Sequence, residues 1–78
     1  MNHYFALLDA AGRSVATLPA PHHGTRVDED GTISGQTGAM AVWNGPPPVW
    51  CWQIVEVRSE HAWESVPESE KTVVWSKL

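Results

Sequence analysis

The sequence predicts a mostly β fold, at the border of the α+β class: a small antiparallel sheet of five or six strands with one short helix. Apolar residues come in short bursts, and turns containing glycine or proline punctuate them. That spacing suits consecutive antiparallel strands and not long amphipathic helices.

The elements follow in order. His3 to Leu8 reads as a first strand, Asp9-Ala10-Ala11-Gly12 as a turn, and Ser14 to Leu18 as its hairpin partner. Pro19 to Gly24 holds two prolines, two histidines and a glycine, so it can neither continue a ladder nor open a helix, and it reads as a loop. Thr25–Val27 and Thr32–Ser34 flank Asp28-Glu29-Asp30-Gly31, where Asp-Gly supplies the positive φ of a tight turn and the tip is acidic. Ala39 to Trp43 reads as a strand, stopped by Asn44-Gly45-Pro46-Pro47-Pro48, which the prolines force into an extended polyproline-type form.

Val49 to Val57 carries apolar groups on both faces and reads as the central, buried strand. On that reading Trp52 is a core residue, and Trp52→Ala is expected to cost about 3–5 kcal/mol. Ser59 can cap a short helix through Glu60, His61, Ala62, Trp63 and Glu64, ended near Val66 by Pro67. Thr72 to Trp75 supplies a β-branched last strand.

At 78 residues one domain spanning 1–78 is the ceiling, and the core alone gives only a few kcal/mol net of chain entropy. The five tryptophans are therefore first explained as core. Two or three are expected inside and at least one partly exposed: Trp43 or Trp50 beside the proline loop, or Trp63 on the helix.

The net charge is −4, and the five basic residues Arg13, Arg26, Arg58, Lys71 and Lys77 are scattered singly. With no basic stripe to neutralise phosphates, direct nucleic-acid binding is not expected, whereas an acidic surface suits basic protein partners. The single cysteine, Cys51, excludes an intramolecular disulfide. The N-terminus lacks a leader pattern and no apolar stretch is long enough to span a bilayer, so a cytoplasmic location without membrane contact is expected.

Little in the chain points to catalysis. His3, His22, His23 and His61 are not at ligand spacing, so no metal site and no cofactor is expected; a solvated loop pair and two isolated histidines account for them. Cys51 between Trp50 and Trp52 reads as a small buried hydrophobe and not a nucleophile. No nucleophile elbow, phosphate-binding glycine loop or His-Glu-x-x-His run is present, and the expectation is a protein that is not an enzyme.

The candidate contact residues are acidic: Asp28, Glu29 and Asp30 on the hairpin tip, and Glu60 and Glu64 one turn apart on the expected helix, with Trp63 as anchor. The proline segment before Trp50 lacks a repeated motif with a basic anchor and reads as a rigid connector.

In size, acidity and lack of catalytic motifs the chain resembles the small inhibitors of phages and mobile elements, of which anti-CRISPR proteins are the best-known group. The resemblance implies inhibition by occupancy, in which an acidic surface covers a basic nucleic-acid channel of a bacterial defence complex and competes with target DNA. The rival expectation is a structural or adaptor module of a phage or bacterial assembly that pairs through a sheet edge or Trp-centred contacts. A monomer or weak homodimer is expected.

Overall fold

The computed structural model describes residues 2–77. Six strands form two antiparallel sheets: β1 (Asn2–Leu8), β2 (Ser14–Pro19), β3 (Arg26–Val27), β4 (Ile33–Ser34), β5 (Gln53–Ser59) and β6 (Lys71–Ser76). The larger sheet has the order β2-β1-β5-β6, and β3 and β4 form a two-stranded ribbon.

The β1–β2 turn is built by Asp9, whose Oδ1 accepts the backbone N–H of Ala11 and of Arg13, each at 3.0 Å. Arg13 returns its guanidinium to the same carboxylate at 3.0 Å. The short carboxylate thus replaces the backbone bonds that the reversing chain cannot make. These contacts hold the Asp9 carboxyl below its ordinary range, the Arg13 amide foremost.

Period-two alternation sends the side chains of β1 to both faces of the sheet. Phe5 and Leu7 join Leu18, Ile33, Cys51 and Ile54 in one buried cluster. Ala6 and Leu8 join Val55, Val57 and Val66 in the other. The β3–β4 ribbon and the chain leading to Cys51 contribute to the first cluster, and the segment between β5 and β6 contributes to the second. The expected mostly β fold is therefore present, as a four-stranded antiparallel sheet, a two-stranded ribbon and short 3₁₀ turns.

Three expected elements take another form. Ala39 to Trp43 is not a strand: Gly38–Met40 makes a 3₁₀ turn with Gly38 at φ 58°, and a single bridge between Ile33 and Gly45 stands in for the pairing. The central strand starts at Gln53, not at Val49, because the chain leaves the prolines through a turn closed by Cys51 N–H on Pro48 O at 2.9 Å. The helix expected from Ser59 is absent. β5 runs through Ser59, whose Oγ accepts the His61 N–H at 3.0 Å and donates to Glu70 at 2.9 Å. Beyond it Trp63–Ser65 makes one 3₁₀ turn. Val66 is drawn into the second core and Trp63 packs against it, and burying both prevails over two turns of isolated helix.

The expected burial of Trp52 is also overturned. Its backbone is bonded on both sides, donating to Leu8 O at 2.7 Å and accepting Lys77 N–H at 2.8 Å. The indole nevertheless stands at the end of the sheet, 44% exposed, with the Lys77 ammonium 5.2 Å from its ring centre. Nor are two or three tryptophans fully buried: Trp63 and Trp75 are half-buried at the margins of the two clusters, and the other three are exposed.

Candidate functional site

Between Ser34 and β5 the chain has almost no ladder to hold it, and one side chain takes over that task. Gln36 is buried, and its Oε1 accepts the backbone N–H of Val42 at 2.9 Å and of Trp43 at 3.3 Å, while Nε2 donates to Trp43 O. Asn44 closes the clamp: Nδ2 donates to Gln36 O at 3.0 Å, and Oδ1 accepts Gln36 N–H at 3.3 Å. A buried amide that satisfies several backbone groups fixes a loop much as a strand partner would.

What the clamp presents is apolar. Val42 and Trp43 on one side, and Pro48, Val49 and Trp50 on the other, form the walls of a groove of about 360 Å³ floored by Leu7, Ala16 and Leu18. Trp43 and Trp50 are 41% and 40% exposed and Val49 is 90% exposed, a cost to a small fold unless a partner covers them. The Trp43 indole N–H is already committed to Pro46 O at 2.8 Å, which fixes the ring's orientation and leaves its flat face for contact. No charged side chain and no hydroxyl or amide side chain lines the groove.

Of the acidic candidates, Asp28, Glu29 and Asp30 stand exposed together on the tip of the β3–β4 ribbon. Asp30 Oδ1 accepts the Thr32 N–H at 3.0 Å, and that bond holds its carboxyl below the usual range. The tip is tied to the proline segment at Gly31, where a Cβ would lie 2.7 Å from both the Pro47 and Trp75 side chains. The acids therefore adjoin the proline segment that runs on to Pro48 and Trp50.

Glu60, Glu64 and Trp63 are elsewhere. Glu60 and Glu64 are exposed on the irregular segment after β5, so they do not share a helical face. Trp63 packs on the second core, opposite the face that carries the groove, and the Lys71 ammonium sits 4.3 Å from its ring centre. The structure thus separates the acids of the ribbon tip from Glu60, Glu64 and Trp63 on the segment after β5.

Compared with protein-family models, curated proteins and solved structures, the chain matches none.

The other reactive groups are accounted for by packing. The Cys51 thiol is buried and donates to Gln53 O at 3.3 Å, and burial pushes its pKa up, away from nucleophilic thiolate. Among the described residues no three His, Cys, Asp or Glu side chains are arranged to hold a metal ion. His3 is not isolated, however, since its ring lies 5.6 Å from that of His22.

Trp43 and Trp50 were legible as exposed candidates from their place beside the prolines. Gln36 and Asn44 carried no signal in the sequence, because a clamp between positions eight apart in a loop has no period.

Proposed function

We propose that this chain is a non-catalytic protein-binding module that seats apolar side chains of its partner in the Trp43–Trp50 groove. The observation that carries the reading is that the groove is wholly apolar and preorganised by the Gln36 clamp, so little ordering entropy is lost on docking. A sugar would need side-chain hydrogen bonds the groove lacks, and a nucleic acid would need cations the surface does not cluster. An aliphatic or aromatic side chain of another protein needs neither.

Asp28, Glu29 and Asp30 select the partner's character. Lying beside the same proline segment, they favour a basic surface, and a basic surface that receives an acidic protein is commonly one that holds nucleic acid. On this reading the module inhibits by occupying such a surface and excluding DNA, as in the blocking of a bacterial defence complex. Edge pairing into an assembly is the weaker reading. β2 carries a bulge at one end and Pro19 at the other, while β6 is bulged and flanked by Lys71 and Lys77, devices that discourage strand addition.

The test starts by capturing the partner from host lysate with the tagged chain and titrating the purified partner with variants. Trp43→Ala and Trp50→Ala are expected to weaken binding by about thirtyfold or more, as central aromatic anchors do, with unchanged circular dichroism. DNA bound by the partner should be displaced by the wild-type chain. If both variants bind as tightly as wild type, the groove is not the site.

A further inference from the structure

The adjacent pair His22–His23 meets His3, distant in sequence, at one end of the sheet. The His22 ring centre lies 5.6 Å from that of His3 on β1 and 4.1 Å from that of His23. β5 brings Glu56 and Arg58 to the same place, since they stand opposite Phe5 and His3 in the ladder. Glu56 Oε2 is 2.7 Å from His3 Nε2, and Arg58 Nε is 3.4 Å from that nitrogen. On the β6 side, Glu70 shares a polar cavity of about 440 Å³ with Glu56 and Arg58, but its carboxylate is engaged by the Ser59 hydroxyl.

The segment that carries His22 and His23 is a single 3₁₀ turn, Pro21–His23, closed by His23 N–H on Ala20 O at 2.9 Å and Gly24 N–H on Pro21 O at 2.8 Å. It joins β2 to the β3–β4 ribbon, so whatever holds it also sets how the ribbon enters the first core. Among the described residues neither His22 nor His23 has a carboxylate within ion-pair distance, and Glu56 pairs with His3.

We propose that this cluster of tilted imidazoles is an acid-sensitive latch: neutral, it holds the Pro21–His23 turn against β1, and protonated, it releases the turn. Uncharged rings can lie 4–6 Å apart at no electrostatic cost, whereas imidazolium ions at that distance, beside a guanidinium, repel. His22 is open to solvent on its outer side, yet loss of water on its flanked side, followed by His23, His3 and Arg58, holds it below the usual imidazole range. The folded state therefore binds fewer protons than the unfolded chain. The stability concerned is complete above about pH 6.5 and is lost as the pH falls below it.

The experiment is an NMR titration from pH 8 to 5 that follows the four histidine rings and the backbone amides of Ala20 and residues 22–25, joined to thermal melts at pH 7.5 and 5.5. Those amides should move with the His22 ring. The wild-type Tm should fall on acidification, and His22→Gln or His23→Gln should reduce that fall. Glu56→Gln removes the carboxylate that compensates His3 and should enlarge it, while His61→Gln, outside the cluster, should leave it as in wild type. Turn amides indifferent to His22, an acid loss unchanged in His22→Gln, or no acid loss in the wild type would each overturn the latch.

Discussion

Trp52 and Ile54 are two positions apart and both apolar, yet only one displaces water on every side. Ile54 is fully buried, whereas Trp52 keeps 44% of its surface. Ile54→Ala is therefore expected to cost about 2–5 kcal/mol and Trp52→Ala under about 1 kcal/mol, read from urea melts of the two variants. Equal losses would place the indole in the core after all. Gln36 is the polar counterpart. Truncation to alanine strips partners from the amides of Val42 and Trp43, and is expected to cost about 1–3 kcal/mol. It should also weaken partner binding as much as Trp43→Ala does, although the clamp itself lies beneath the loop. A Gln36→Ala protein that binds like wild type would show that the groove does not depend on its clamp.

Among elements, the β3–β4 ribbon depends closely on the backbone at its tip. Gly31 has φ 86° and no room for a Cβ beside Pro47 and Trp75, whereas Gly12, at φ 81°, meets nothing within 4 Å. Alanine at either site strains the backbone, but Gly31→Ala should lose clearly more than Gly12→Ala, by more than about 1 kcal/mol in denaturant melts. Comparable losses would mean that the ribbon tip is not packed on the prolines. The same contrast shows what the sequence could reveal. Turn chemistry is local, so Asp9–Gly12 and Asp28–Gly31 were readable, with the strands they join. A strand from Val49 is expected because Trp50, Cys51 and Trp52 satisfy a strand pattern whether or not the sheet continues, yet β5 begins at Gln53. The helix after Ser59 was misread for a related reason: its cap and glutamate spacing are local, but the pull of Val66 onto the second core comes from residues distant in sequence. Of the site, the tryptophans and acids were legible by residue type. Their separation depends on how β5 pairs with β1, which no local pattern encodes.

For the whole molecule, charge sets the conditions of function. Reversing Asp28, Glu29 and Asp30 to lysine should slow association with the captured partner and barely alter stability, since all three are exposed. The effect should shrink as salt rises, because at about 0.1 M the screening length is on the order of 10 Å. A triple variant that associates at the wild-type rate in low salt removes the basic-surface reading and leaves an apolar interface alone. Acid acts separately. The depressed Asp9 and Asp30 carboxyls contribute stability that is present above about pH 3.9 and lost as the pH falls through their lower folded values. Wild-type melts should thus show a second decline in that window, which Asp30→Asn reduces. A decline of the same size in the variant would assign it to other carboxylates.

β1, one of the two inner strands of the larger sheet, is synthesised before β5, the inner strand it pairs with. β1 pairs with β5 from Asn2↔Ser59 to Leu8↔Gln53, partners 45 to 57 positions apart, and its buried residues face both cores. During translation the β1–β2 hairpin therefore waits, with two apolar faces open, until β5 has been made. Closing so long a loop is slow compared with forming a hairpin. The nascent chain is thus most vulnerable to aggregation and proteolysis before Gln53 appears, and the sheet closes only after β5 is made. Arrested chains ending before β5 should be digested readily, and those extending past β6 should resist.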